Sequence, residues 1–410
     1  MPVRRLAVVL LAALFVLSGA ATPAHADNIR NREYWLADYG IAAAWDVTRG
    51  AGVTIAIIDT GVSSSHQDLA GAVIDGADFT GNDAGGEPTG GKGSSHGTMV
   101  ASLAAGHGHG SSDGVIGAAP EASILAISIS FGENVDADQQ VADAVTWAVD
   151  HGADVINMSF TRETLDWPES WDTAFLYAEK HGVVMVAAAG NRGSGTAVVG
   201  APATMPGVLT VAGLDRNGNA SFDASAQGIT IGVSAPSEQL VGATPGNGYV
   251  QWSGTSGASP IVAGIAALVK AAHPELDAAG VIQRIVSTAR PAGDDGVDPL
   301  YGYGLVDAAA AVSNDVAAVS VNPMGDLGEW VRLNRRADAP PVPASTGASM
   351  PIPESTPIGS PESPIASLLP SVSLLREVGI PLLLFAGFFA AFVVVAVGAG
   401  RHFRRLRRRL

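Results

Sequence analysis

Three residues in this chain have the types and settings needed for acyl transfer at a serine. Asp59 closes the apolar run Val53-Thr54-Ile55-Ala56-Ile57-Ile58 and is followed by Thr60-Gly61. His96 ends a glycine-rich segment and opens His96-Gly97-Thr98-Met99-Val100-Ala101, so its imidazole is presented where a helix begins. Ser256 lies in Ser253-Gly254-Thr255-Ser256-Gly257-Ala258-Ser259-Pro260, ahead of the apolar helix expected over Ile261 to Ala272, with Pro260 in its first turn. A neutral serine hydroxyl is a weak nucleophile and needs a base. A histidine can take its proton and later return it to a leaving amine, and a carboxylate can fix the histidine tautomer. A serine at a helix start is also close to free N–H groups and the positive dipole end, which stabilise a developing oxyanion.

Taken singly, each residue has a plainer role: Asp59 as a strand-end turn, His96 as a surface histidine, Ser256 as a helix cap. Two other chemistries fail on count and order. An aspartic dyad needs a second Asp-Thr-Gly or Asp-Ser-Gly, and the chain has none. A Gly-x-Ser-x-Gly hydrolase needs an acid and then a histidine after the serine. Here only His273, at a helix end before Pro274, and His402 follow Ser256. The absence of cysteine excludes thiol nucleophiles and disulfides. Eight of the 23 basic residues sit in the two ends, so residues 27–377 carry 15 against 39 acids, a net of -24. That body has no basic face for nucleic acid.

The elements that must position these groups alternate along the chain. Residues 53–58, 123–128, 154–158, 183–188 and 208–211 are short, continuously apolar runs that read as buried strands. Between them, Val141, Ala144, Val145 and Ala148 recur at helical spacing within 139–150, and residues 171–181 end at Gly182. The expected fold is α/β: a three-layer arrangement with a mainly parallel sheet covered by helices on both faces. In such sheets chemistry gathers at the carboxyl ends of the strands, where Asp59 lies.

The order Asp, His, Ser is that of subtilisin, and residues 50–312 resemble the subtilase family. The resemblance rests on the block from Val53 to Val62, on His96-Gly97-Thr98, Ala187-Ala188-Ala189-Gly190-Asn191 and Gly254-Thr255-Ser256, and on the closing segment Tyr301 to Asp307. It implies Asp59, His96 and Ser256 as a catalytic triad and a subtilisin-like fold. It also implies Asn191 as the side-chain donor of an oxyanion hole, beside the Ser256 N–H. It further implies a substrate-binding strand edge over Ser159, Phe160 and Thr161, within Asn157-Met158-Ser159-Phe160-Thr161-Arg162. Thr161 and Arg162 stand where the family pattern has glycines, and Ser256-Gly257-Ala258 replaces the commoner Ser-Met-Ala. No cofactor or metal is expected for the reaction. Structural calcium is compatible with the family, but no motif locates a site; His107 and His109 have no clear third ligand adjacent and read as a polar loop.

Both ends address a membrane. Arg4, Arg5, the apolar run Leu6 to Leu17 and Ala24-His25-Ala26 read as a signal peptide over 1–26. A short arm, 27–45, precedes the peptidase domain, 46–315. The next segment, 316–377, reads as a linker rich in proline and serine. Residues 378–400 are long and apolar enough for a transmembrane helix, and the basic tail 401–410 is expected to stay cytoplasmic. The catalytic domain is therefore expected outside the cell membrane. This arrangement resembles the mycosins, membrane-bound proteases associated with type VII secretion, although mycosins commonly carry disulfides. The resemblance implies a protein or peptide substrate and a type VII secretion membrane complex as partner. The alternative is a subtilase-fold subunit that stabilises such a complex with little catalysis.

Overall fold

The computed structural model describes residues 29–89, 94–110, 112–131 and 136–335. The expected signal peptide, transmembrane helix and cytoplasmic tail lie outside the described residues. Strands β1 (Thr54–Asp59) and β2 (Val73–Asp78) come first. Helix α1 (His96–Ala105) leads into a small hairpin, β3 (His107–His109) and β4 (Asp113–Ile116). Then β5 (Ser123–Ser128), α2 (Ala137–Asp150), β6 (Val155–Met158), α3 (Glu169–Lys180) and β7 (Val184–Ala188) alternate. After β8 (Leu209–Leu214), β9 (Ile231–Pro236) and the hairpin β10 (Leu240–Thr244) to β11 (Gly248–Trp252) come four helices. These are α4 (Thr255–Ala272), α5 (Ala278–Ser287), α6 (Ala308–Ser313) and α7 (Leu327–Asn334).

The main sheet has the order β2-β5-β1-β6-β7-β8-β9, and every pairing in it is parallel. Its inner strands are largely apolar because both faces are covered, whereas the edge strand β2 carries Asp75 and Asp78 and is partly exposed. In β1, Ile55 and Ile57 enter one core with α1, α4 and α5. Ala56 and Ile58 enter a second core with Val141 and Val145 of α2 and Phe175 of α3. This is the three-layer α/β arrangement expected from the alternation of patterns. The strand order turns around β1, which has β5 on one side and β6 on the other. The register Ile58↔Met158 brings Asp59, at the end of β1, beside Ser159, just past β6. A crevice at such a switch point is where ligands bind in open parallel sheets.

The short arm is part of the first core. Trp35 and Ile41 are fully buried there with Tyr34, Leu36 and Tyr39. The arm is pinned by hydrogen bonds from Tyr34 Oη to the Glu238 carbonyl (2.9 Å), from Ile116 N–H to Glu33 Oε1 (2.9 Å) and from Ala308 N–H to the Tyr39 carbonyl (3.0 Å). Helix α4 is long and apolar enough to cross a membrane, yet most of it is buried in the core.

Two expected boundaries move. Helix α4 begins at Thr255 rather than Ile261, which puts Ser256 inside its first turn and Pro260 in the second. The linker expected from residue 316 starts later, because α7 docks on the body. Asp326 Oδ1 accepts from Glu329 N–H (2.8 Å) and caps the helix. Leu327 is buried, and the Trp330 ring lies 4.3 Å from that of Trp167. Arg335 then pairs with Asp172 (2.8 Å) and donates to the Trp167 carbonyl (2.9 Å).

Candidate active site

Asp59 is 1% exposed, at the carboxyl end of the central strand. Its carboxylate faces the first residue of α1. His96 Nδ1 lies 2.8 Å from Asp59 Oδ1 and 3.0 Å from Oδ2, and Thr60 N–H donates to Oδ1 (2.7 Å). A carboxylate accepts only, so Nδ1 carries the proton and Nε2 keeps its lone pair as a base. Burial works against the imidazolium, but the charge of Asp59 and the hydrogen bond to it outweigh that. The His96 pKa is raised above its usual 6.5. The Trp252 ring meets the imidazole edge-on at 5.7 Å, and the His96 side chain keeps 31% of its surface exposed.

Ser256 is held by an exchange with Ser159. Pro260 has no N–H, so the Ser256 carbonyl lacks its helical donor. The Ser159 hydroxyl fills that place, donating to Ser256 O at 2.9 Å. Ser256 Oγ in turn donates to the Ser159 carbonyl (3.1 Å). Ser159 Oγ also accepts from Asn157 Nδ2 (2.9 Å), whose Oδ1 accepts from Ser259 Oγ (2.7 Å). The end of β6 and the first two turns of α4 are thus tied by three polar contacts, with the Asn157–Ser159 bond linking them.

Asn191 follows β7 and reaches the same helix start. Its Oδ1 accepts from Thr255 N–H (2.8 Å) and Thr255 Oγ1 (3.0 Å). Gly254 has no side chain to cap α4, and Asn191 supplies the cap from across the chain. With Oδ1 committed to Thr255, the amide Nδ2 faces away from that cap, on the side of Gly254. A β-carbon on Gly254 would stand 3.2 Å from Nδ2, and φ there is 149°, so only glycine fits. Among the described residues, neither Nδ2 nor the Ser256 N–H has a hydrogen-bond partner, and both lie at the start of α4.

The structure therefore pairs Asp59 with His96, Ser256 with Ser159 and Asn191 with Thr255, all at or beyond the carboxyl ends of β1, β6 and β7. Ser159 is buried, and its side chain serves the interior rather than the surface. Phe160 is half-buried, its ring 5.5 Å from that of Phe131, and Thr161 is half-buried beyond it. Thr255 and Asn157, which orient Asn191 and Ser159, stand out only in three dimensions. Both lie inside motifs already singled out, Gly-Thr-Ser and Asn-x-Ser, which was the available signal. His109 and His107 are bound elsewhere: His109 Nδ1 meets the buried Asp68 at 2.6 Å, and His107 Nε2 meets the Ala70 carbonyl at 3.1 Å. Among the described residues, no three acidic or histidine side chains converge to hold a metal.

The model of the subtilase family matches residues 50–304. Thermitase of Thermoactinomyces vulgaris is 39% identical over 239 residues, 58% of this chain and 82% of the relative. Subtilisin DY of Bacillus licheniformis is 38% identical over 266 residues, 64% of this chain and 92% of the relative. Among solved structures, MycP1 with its N-terminal propeptide removed superposes with a TM-score of 0.60 at 32% identity, covering 70% of this chain and 98% of that one. MycP1 from Mycobacterium smegmatis gives 0.58 at 30% identity, covering 72% and 88%.

Proposed function

Because the chain belongs to the subtilase family of serine peptidases, we propose that it is an endopeptidase that cuts proteins or peptides through an acyl-enzyme, with Asp59, His96 and Ser256 as its triad. The observation that carries this reading is the bidentate approach of His96 Nδ1 to Asp59, at 2.8 and 3.0 Å, beside a serine in the first turn of a helix. His96 Nε2 takes the Ser256 proton as Oγ attacks the scissile carbonyl. Asp59 steadies the imidazolium, which then protonates the leaving amine. The oxyanion sits between Asn191 Nδ2 and the Ser256 N–H, at the positive end of α4. As Ser256 turns from Ser159 to His96, the Ser159 carbonyl is released to accept the substrate N–H. The Phe160 and Thr161 backbone then continues the pairing as an added strand. Water repeats the sequence to free the acyl group.

The signal-like start, the apolar segment 378–400 and the basic tail support anchoring in the cell membrane, with this domain outside and the C-terminus inside. The likeness to MycP1 supports substrates processed alongside type VII secretion, with a secretion membrane complex as partner.

The test is labelling of the full-length protein with a serine-directed fluorophosphonate, beside Ser256→Ala and His96→Ala. Labelling of the parent that is lost in both variants is the expected result. A folded parent that neither reacts nor hydrolyses any peptide would refute the assignment.

A further inference from the structure

We propose that this protease cleaves after small side chains, because Thr161 and Thr196 fill the floor of the pocket that receives the residue before the scissile bond. The inference rests on the proposed peptidase reading and adds a substrate class to it. With the acyl carbonyl between Asn191 Nδ2 and the Ser256 N–H, the acyl residue lies against the Ser159 carbonyl. Its side chain then enters the gap between the Ser159–Thr161 edge and the Gly190–Asn191 turn. Gly190, with φ at 101°, leaves that gap open on its own side. Two threonine methyls take up the room. A β-carbon placed on Gly190 would lie 2.6 Å from Thr196 Cγ2 and 3.2 Å from Thr161 Cγ2.

The Thr161 methyl is held in place by its hydroxyl, and Thr196 by its backbone. The Thr161 hydroxyl donates to the Arg162 carbonyl (3.0 Å), which sets its rotamer. Behind it, Arg162 N–H donates to the Ala201 carbonyl (2.7 Å), and a β-carbon on Gly200 would fall 2.9 Å from Thr161 Oγ1. The edge therefore backs directly onto the 200–201 segment. The Arg162 guanidinium is held by Asp138 and lies 5.7 Å from the centre of the Trp171 ring, which stops the edge from moving outward. On the opposite side, Thr196 N–H donates to the Asn191 carbonyl (3.0 Å), so its position follows that of the oxyanion donor. A glycine at 161 would leave this space to the substrate; a threonine occupies it. The occupied floor admits a hydrogen or a methyl and meets a benzyl or isobutyl group with a clash.

The experiment uses the full-length protein and peptides that differ only in the residue before the scissile bond, alanine or phenylalanine. The readout is the ratio of the two kcat/KM values in one preparation, which does not depend on the active fraction. One methylene of pocket misfit changes such ratios by about 10–200-fold, so the parent is expected to favour alanine by at least about 10-fold. Thr161→Gly and Thr196→Gly are each expected to lower that ratio about 10-fold or more, and the milder Thr161→Ser, which removes only the methyl, to lower it partway. A parent that cleaves after phenylalanine as readily as after alanine overturns the proposal, as does a ratio unchanged in Thr161→Ser and both glycine variants. In either case hydrolysis itself leaves the peptidase reading standing. A parent with no hydrolysis and no fluorophosphonate labelling overturns that reading, and this inference with it.

Discussion

Replacing Asn191 separates two jobs that one side chain performs. Its Nδ2 is the proposed oxyanion donor, while its Oδ1 accepts from Thr255 N–H at 2.8 Å and Thr255 Oγ1 at 3.0 Å. In Asn191→Ala the lost donor lowers kcat by about 10²–10³-fold. The two lost acceptor contacts lower stability by about 1–3 kcal/mol, at about 0.5–1.5 kcal/mol each. Asn191→Asp keeps an oxygen on Thr255 but faces the developing oxyanion with negative charge. Its turnover should fall at least as far, while its stability stays nearer the parent. The assay is kcat on active-site-titrated enzyme with a peptide anilide, paired with urea unfolding of each variant. An Asn191→Ala enzyme within about threefold of parental kcat would refute the oxyanion role. An Asn191→Asp enzyme as destabilised as Asn191→Ala would refute the capping role.

Five further outcomes follow from other contacts of the site and the core. His96 acts as a base only when neutral and its pKa is raised above 6.5, so kcat/KM should fall as the pH drops through a midpoint above 6.5. Asp59→Asn removes the raising partner and leaves burial, so residual activity should titrate with a lower midpoint; an unmoved midpoint in the pH–rate profile contradicts the pairing. By linkage, a raised histidine pKa contributes stability that is full below its unfolded value and lost as pH rises through the folded value. The stability gap between parent and Asp59→Asn should therefore narrow from pH 5.5 to 9, read by urea titration. Ser159→Ala leaves the Ser256 carbonyl with neither a helical donor nor the hydroxyl that replaces it, which should reduce stability by about 1–3 kcal/mol and lower kcat with little change in KM. Trp35 is fully buried, so Trp35→Ala should destabilise the domain by about 3–5 kcal/mol in urea; unchanged unfolding would mean the arm is dispensable.

The parallel sheet was legible, and the residues of the proposed triad could be named, because each rests on local signals. Buried strands such as Thr54–Asp59 are apolar on both faces, helix α2 shows its stripe at Val141, Ala144, Val145 and Ala148, and Asp59, His96 and Ser256 each end or begin such an element. Asn191 became legible through the resemblance of its Ala-Gly-Asn block. The contacts that orient these groups were not legible, because they join residues far apart in sequence. Asn191 caps a helix that starts 64 residues later, and Ser159 serves a carbonyl 97 residues away. The start of α4 was misplaced for the same reason: Pro260 marks a helix start when read alone, and becomes tolerable in the second turn only with the Ser159 hydroxyl present. Helix α7 shows little of its role in sequence, since its apolar side is defined by Trp167, more than 160 residues earlier. Local pattern determined which elements form and which residues can do chemistry. Packing between distant segments decided which way each group points, because an orientation is set by the partner and the partner is chosen by the fold.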